Sequence, residues 1–89
     1  MNVENAALWQ FPQYFPIKIM GRRHDDLADS VAQIVLKHAP DFDVKSMEMR
    51  SSKNGHYLSL TCTICAQNKA QLDALYNELC AHPLIAVVL

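Results

Sequence analysis

The Asn54-Gly55 pair restricts the fold of this chain more than any other feature of the sequence. It stands between two segments in which apolar and polar residues alternate, and Asn-Gly in that position is the strongest short-range signal for a β-hairpin. Both residues tolerate the positive φ angles of a type I′ turn, so we predict a two-residue turn with Lys53 opposite His56. Because a one-residue slip would mix the two faces of the ribbon, the alternation and the turn specify a single register. The pairs expected on the two faces are Met49 with Leu60, Met47 with Cys62, Arg50 with Ser59, and Glu48 with Thr61.

The segments on either side of this hairpin carry strand and helix patterns in turn. In order, we predict a strand over residues 15–20, a helix over 25–38, strands over 42–51 and 56–66, a helix capped by Asn68, and a strand over 84–89. This β-α-β-β-α-β order places two helices on one face of a four-stranded antiparallel sheet, and right-handed crossovers favour strand order 4-1-3-2. The sequence therefore predicts an α+β fold of the ferredoxin-like sandwich type.

The apolar pattern of each element predicts which side packs in the core. Extending the hairpin register along the second strand would bury Lys45, so we expect a break near Lys45-Ser46 that turns Phe42 and Val44 inward. Leu36 lies opposite Leu27 on the first helix and is expected to be exposed unless another part of the structure covers it. The inward sets are Leu58, Leu60, Cys62, Ile64 and Ala66 on the third strand, Leu27, Val31, Ile34, Val35 and His38 on the first helix, and Leu72, Leu75, Tyr76 and Leu79 on the second.

Length and composition indicate one globular domain. The chain has 89 residues, of which 51% are apolar and 19% charged, which is enough apolar material for a core and too little charge for disorder. We assign residues 1–13 to an N-terminal arm, in which Leu8, Trp9 and Phe11 are expected to dock on the domain, and residues 14–89 to a single domain. The formal charge of −1 provides no long-range field for nucleic acid or acidic lipid, so neither is expected as a partner.

The first residues show neither the charged nor the apolar region of a signal peptide. The longest apolar run, Leu84–Leu89, is too short to span a bilayer. The three cysteines are an odd number, and in the absence of an export signal this favours reduced thiols in a cytoplasm.

The last strand is apolar on both faces, although it should lie at an edge of the sheet. Its expected inner set is Leu84, Ala86 and Val88, and its expected outer set is Ile85, Val87 and Leu89. An apolar edge of this kind needs a cover. The two candidates are the arm around Trp9 and a second copy of the chain, which would make a homodimer.

The C-x-x-C sequence from Cys62 to Cys65 lies within the third predicted strand. Redox and metal sites need both thiolates to converge, as they do at a helix N-terminus or in a knuckle loop. Residues three apart in a strand point to opposite faces, so Cys62 should be buried and Cys65 exposed. The geometry therefore predicts neither a metal site nor a disulfide here.

The sequence contains no catalytic, phosphate-binding or cofactor-binding motif, and the histidines lack metal-ligand spacing, so no cofactor or metal is expected. The segment between the first strand and the first helix, Gly21, Arg22, Arg23 and His24, combines a helix N-terminus with two arginines and is a candidate anion pocket. Asp25 and Asp26 would repel an anion there, and a solvated loop is the alternative. RNA-recognition modules share this topology, but the outer face of the third strand offers only Tyr57 for base stacking.

Several short segments resemble a known family. These are Phe15–Gly21, His38–Pro40, Arg50–Gly55, Tyr57–Ser59 and Val87–Leu89. The chain resembles the YbeD-like family of small bacterial proteins of unknown function over most of its length. The resemblance implies a ferredoxin-like domain comparable with ACT-type regulatory domains, which bind small effectors at the loop after the first strand, here Gly21 to His24. It also implies a regulatory role connected with lipoate.

Taken together, these features favour a non-enzymatic regulatory or adaptor module that binds a small metabolite or a partner protein. For a metabolite, the expected contacts are Gly21, Arg22, Arg23 and His24. The alternative is an enzyme with a dispersed site, free of known motifs, near the same loop.

Overall fold

The computed structural model describes residues 10–89. Its seven elements form a sheet with helices packed against it. They are β1 (Gln13–Arg22), α1 (Leu27–His38), a short 3-10 helix (Val44–Ser46), β2 (Glu48–Ser51), β3 (Tyr57–Ala66), α2 (Lys69–Ala81) and β4 (Ile85–Val88). None of the helices in this part of the chain is long and apolar enough to cross a membrane.

The sheet confirms the predicted topology. The strand order is β2-β3-β1-β4, which is the predicted order read from the other edge, and every pairing is antiparallel. The long strands β1 and β3 pair at the centre, from Gln13 with Ala66 to Arg22 with Tyr57. The core lies between the inner face of this central pair and the two helices. The opposite side, which we call the outer face, carries no helix among residues 10–89.

The hairpin has the predicted register but a different turn. Glu48 pairs with Thr61 and Met49 with Leu60, as the alternation requires. Gly55 has a φ of +79°, whereas no other residue between 10 and 89 has a positive φ. The type I′ turn, which needs positive φ at both Asn54 and Gly55, is therefore wrong.

Side-chain hydrogen bonds explain the longer loop that replaces it. The Ser52 backbone N–H donates to the Tyr57 carbonyl at 2.9 Å, so four residues, 53–56, connect the strands. The Asn54 Oδ1 accepts from the Ser52 hydroxyl at 3.1 Å and from the His56 N–H at 3.4 Å. Asparagine commonly stabilises a turn through its own side chain in this way, and the left-handed glycine then returns the chain to β3.

The predicted break before β2 is present as the 3-10 helix. The Asp43 side chain caps this helix by accepting from the Lys45 N–H at 3.0 Å. Phe42 is buried as expected, but Val44 is 41% exposed, because the turn directs only one of the two side chains into the core. Met49 is 60% exposed although it pairs with buried Leu60, since β2 lies at the sheet edge and its residues are all exposed.

Both helices bury most of the predicted stripes, whereas His38 and Tyr76 are only partly buried. Val31, Val35, Leu72, Leu75 and Leu79 are at most 2% exposed. Leu36 packs against this core as a partly buried residue, so it is covered rather than exposed. Residues 10–13 of the predicted arm lie within the described part of the chain, and among them Phe11 packs on the core as expected. Leu8 and Trp9 lie outside the described residues.

The start of α2 is held by two side chains. The Asn68 Oδ1 accepts from the Gln71 N–H at 2.8 Å, as predicted for the cap. The Gln71 side chain accepts from the N–H of Gln67, the residue before the cap, at 2.6 Å. Its amide also donates to the His38 carbonyl at 2.7 Å, which joins the start of α2 to the end of α1.

The edge strand β4 contains an irregularity that changes which residues face inward. Val88 pairs with Ile19 and Val87 with Met20, but Ile85 pairs with Gly21, so Ala86 is an extra residue. Such a bulge reverses the side-chain alternation. Ile85 therefore packs on the core beside Leu84, and Ala86 is exposed. Both placements correct the predicted inner and outer sets, while Val87 and Leu89 lie on the outer face as expected.

Candidate functional site

Gly21, in the loop predicted to bind a ligand, is buried at the crossing of β1, β4 and α1. A Cβ atom at this position would lie 2.5 Å from the Leu84 carbonyl oxygen and 2.9 Å from Leu27 Cδ1. The next residue keeps this approach close, because the Arg22 N–H donates to the same Leu84 oxygen at 3.0 Å. Glycine is thus required here for the packing of two strands and a helix.

Arg23 ties the same loop to the hairpin. Its Nε donates to the Gly55 carbonyl at 2.8 Å, and its Nη2 donates to the Ser51 hydroxyl at 2.6 Å. Its backbone N–H donates to the His56 carbonyl at 2.9 Å. The contact joins segments about thirty residues apart and gives the guanidinium a structural role.

His24 and Arg22 differ in how far they are engaged. The His24 Nδ1 accepts from the Asp26 N–H at 3.0 Å, and the His24 carbonyl accepts from the Leu27 N–H at 3.1 Å, so His24 helps to begin α1. Arg22 pairs with Tyr57 on the outer face. Among residues 10–89, its side chain forms no hydrogen bond or ion pair, and it is the predicted contact that remains available.

The two cysteines of the C-x-x-C sequence lie on opposite sides of β3, as predicted. Cys62 is fully buried in the core, and Cys65 is half-buried on the outer face. Burial raises the pKa of the Cys62 thiol to about 11, because the thiolate would lose its hydration. A thiol in that state is a poor nucleophile at neutral pH. No group of three metal-ligating side chains occurs among residues 10–89.

An ion-pair cluster joins the two helices on the other side of the molecule. The His38 Nε2 lies 2.7 Å from the Glu78 Oε1, and the Lys37 Nζ lies 3.2 Å from the same oxygen. The hydrogen bond from His38, and then that from Lys37, lower the pKa of Glu78. A stabilised carboxylate is the reverse of what a general acid requires. Because these residues are about forty positions apart, their meeting left no signal in the sequence.

The outer face carries a groove that sequence reasoning missed. It encloses about 400 Å³ and is lined by Lys18, Glu48, Met49, Arg50, Ser59 and Thr61. On β3, Thr61 pairs with Lys18 of β1 and with Glu48 of β2. Ser59 pairs with Arg50 of β2. Charged side chains of β1 and β2 therefore lie on both sides of the β3 hydroxyls. Within residues 10–89, the side chains of Lys18, Glu48 and Arg50 form no hydrogen bond or ion pair with one another or with any neighbour.

Apolar side chains border this groove on the β4 side. Val87 is 43% and Leu89 66% exposed, and the half-buried Met20 pairs with Val87. We call Met20, Val87 and Leu89 the apolar strip. Backbone hydrogen bonds between Lys18 and Leu89, at 3.0 and 2.7 Å, set the end of the strip directly beside the groove.

Solved structures share this architecture. The chain is similar to the ACT domain of GTP pyrophosphokinase from Chlorobium tepidum, with a TM-score of 0.67 at 14% identity over 86% of this chain and 83% of that one. It is also similar to protein HP0495 from H. pylori, with a TM-score of 0.74 at 12% identity over 91% of this chain and 85% of that one. These likenesses show that the fold is ACT-like and ferredoxin-like.

Sequence comparison identifies much nearer relatives. A UPF0250 protein of Nitrosomonas europaea is 51% identical over 93% of this chain and 95% of its own length. A UPF0250 protein of Chromobacterium violaceum is 39% identical over the full length of both chains. Residues 6–89 match the family described as "Protein of unknown function (DUF493)". The chain therefore belongs to the DUF493 family of bacterial UPF0250 proteins, which confirms the predicted membership of the YbeD-like group.

Proposed function

We propose that this protein is a non-catalytic adaptor or regulatory module of the cytoplasm that binds a partner protein through the outer face of its sheet. The observation that carries the proposal is the open outer face itself. There, charged side chains of β1 and β2 that have no ion-pair partner among residues 10–89 lie next to the exposed apolar strip. Exposed apolar groups with a polar surround are typical of protein interaction sites.

The shape of the groove also favours a macromolecular partner. It is partly open to solvent and lined mainly by polar groups, whereas small-molecule sites are generally apolar and enclose most of the ligand. An ACT-like fold is compatible with a regulatory role, but fold alone does not assign one. A connection with lipoate metabolism, implied by the family resemblance, makes the enzymes of that pathway the first partners to test.

Metabolite binding at Gly21 to His24 is the second candidate, and the free Arg22 side chain supports it. The other three residues have partners within the chain, as described above, so a ligand would have to displace them or rely on Arg22. A thermal-shift screen of metabolites tests this candidate. A stabilising compound whose effect disappears in Arg22→Ala, and persists in Lys69→Ala, would support it.

The dispersed-enzyme alternative has less support. The cavity next to this loop has a volume of about 160 Å³ and is lined by Met20, Arg50, Ser51, Ser52, Tyr57, Leu58 and Ser59. Within the described part of the chain, neither a carboxylate nor a histidine lines this cavity. A general base for proton transfer would have to come from elsewhere.

Affinity capture with the full-length chain tests the adaptor proposal. The informative variant is Val87→Glu/Leu89→Glu, which places two charges on the apolar strip. The matched control is Ala70→Glu/Asn77→Glu, which adds the same charges at exposed positions of α2. Circular dichroism checks that both variants remain folded. We expect the strip variant to lose partners that the wild type and the control retain. If all three chains capture the same proteins, the outer face is not the docking surface.

A further inference from the structure

Charge is distributed unequally between the two sides of the molecule. Around the groove and the hairpin end, the outer face carries the cations Lys18, Arg22 and Arg50 and the carboxylate Glu48. At its other end, Asp41 and Asp43 line a cavity with the outer-face residue Tyr14. On the helix side, Lys37 and Lys69 are neutralised by ion pairs, Lys37 with Glu78 at 3.2 Å and Lys69 with Asp73 at 2.9 Å. Three of the six cations of residues 10–89 that form no ion pair therefore lie on the outer face, and none lies on α1 or α2. The other three are Arg23, Lys45 and Lys53, in or beside the connecting segments.

The cations are placed where they can act together on carboxylates. Lys18 and Arg50 belong to β1 and β2, and the hydroxyls of Ser59 and Thr61 on β3 lie between them. Neighbouring strands are about 4.8 Å apart and a strand rises about 3.4 Å per residue. Since the two cations are two strands and two residues apart, their backbone positions are separated by roughly 12 Å diagonally across the groove. A guanidinium binds a carboxylate through two parallel hydrogen bonds, and the hydroxyls can donate to a second one.

The apolar strip begins with Met20 on β1 and continues with Val87 on β4. One row across the sheet runs from Arg50 through Ser59 and Met20 to Val87. Three strand spacings make this row about 14 Å wide, slightly more than the 10–12 Å diameter of a helix with its side chains. A helix lying along the strands would thus meet Arg50 on one flank and Val87 on the other. Lys18 and Met20, both on β1, lie between them.

We infer that the outer face binds an acidic amphipathic helix of a partner protein. The inference deepens the proposed function and rests on it. Carboxylates on one flank of the helix occupy the groove between Lys18 and Arg50, and its aliphatic residues pack on Met20, Val87 and Leu89. The occupant is a protein segment because the apolar strip would be left uncovered by a phosphate backbone.

The test uses two synthetic 18-residue peptides with leucine at helical i, i+3, i+4 spacing. One carries glutamate on the flank and the other carries lysine at the same positions. Each is titrated into the ¹⁵N-labelled full-length chain. We expect the glutamate peptide alone to shift the amide signals around Lys18, Met20, Arg50 and Val87, with an affinity that falls as salt increases. A single-stranded DNA 15-mer serves as a competing anion.

Charge-reversal variants locate the effect. Lys18→Glu/Arg50→Glu should weaken binding of the glutamate peptide at least tenfold, whereas Lys69→Glu, on the helix side, should change it less than twofold. The inference is overturned if the peptide does not bind, if it shifts signals of the helices instead, or if the DNA binds more tightly than the peptide. If one of these negative results is obtained while Val87→Glu/Leu89→Glu still loses captured partners, the proposed adaptor role is retained. Only the inference that the partner segment is an acidic helix is then refuted.

Discussion

The substitution Gly21→Ala provides a sharp test of the structure at the predicted ligand loop. It adds one methyl group at a point where the nearest atom, the Leu84 carbonyl oxygen, would be 2.5 Å away. Carbon and oxygen atoms normally approach to about 3.3 Å, so β4 would have to move by roughly 0.8 Å. The obstacle is backbone and cannot rotate aside, in contrast to the second contact, with the Leu27 side chain.

The expected loss of stability follows from two terms. Forcing an additional carbon into a packed site costs about 1–3 kcal/mol. Moving Leu84 also lengthens the 3.0 Å hydrogen bond from the Arg22 N–H, and a hydrogen bond of this kind contributes about 1 kcal/mol. We therefore expect the free energy of unfolding to fall by about 2–4 kcal/mol, which corresponds to a decrease in Tm of about 10–30 °C for a domain of this size.

Urea and thermal unfolding of the wild type and the variant measure this loss directly. Gly55→Ala is the matched control, because no atom lies within 4 Å of its added Cβ and its φ is +79°. Its cost should be only the left-handed backbone penalty of about 1–2 kcal/mol. If Gly21→Ala lowered the free energy of unfolding by less than about 0.5 kcal/mol, the close packing would be refuted. That result would favour a role of this glycine in ligand binding.

Three further predictions concern the thiols, the ion-pair cluster and the hairpin. Alkylation at pH 8 should label the exposed Cys80 and leave Cys62 unmodified until the chain unfolds. Because burial raises the pKa of Cys62 from 9.0 to about 11, the free energy of unfolding should decline as the pH rises from about 9 to 11, a decline that Cys62→Ala should lack. The lowered pKa of Glu78 contributes stability above the ordinary glutamate pKa. Glu78→Gln should therefore be less stable than the wild type at pH 7, and the difference should disappear in acid as Glu78 protonates; an equal difference at pH 3 would contradict this assignment. Gly55→Asn should unfold at a higher temperature than Gly55→Ala, because asparagine tolerates the left-handed region; the reverse order would contradict the turn geometry.

The hairpin shows how far local sequence information extends. The pairing of Glu48 with Thr61 and Met49 with Leu60 could be predicted because alternation and turn position are both local and agree. The turn conformation could not be predicted, because side-chain hydrogen bonds that involve Ser52, Asn54 and the distant Arg23 stabilise a longer loop. The exposure of Met49 also escaped prediction, since pairing determines the face of a residue but not whether a helix covers it.

The candidate sites also differ in how far the sequence could predict them. The opposed directions of Cys62 and Cys65 follow from the two-residue period of a strand, so the sequence was sufficient to predict them. The predicted loop from Gly21 to His24 contains the right residue types, but three of its four residues are engaged in packing or hydrogen bonds within the chain. Whether it binds a ligand stays a prediction, for which Arg22 is the residue to test.

The sequence by itself determined the order of strands and helices, the core-facing stripes and the hairpin register. These features depend on side-chain periods of 2.0 and 3.6 residues and on turn chemistry, all of which act over a few neighbouring positions. Only the tertiary structure decided the bulge at Ala86, the pairing of His38 with Glu78, and the groove between Lys18 and Arg50. Each of these brings together residues from distant parts of the chain, and their energies depend on interatomic distances that exist only once the sheet and helices have packed.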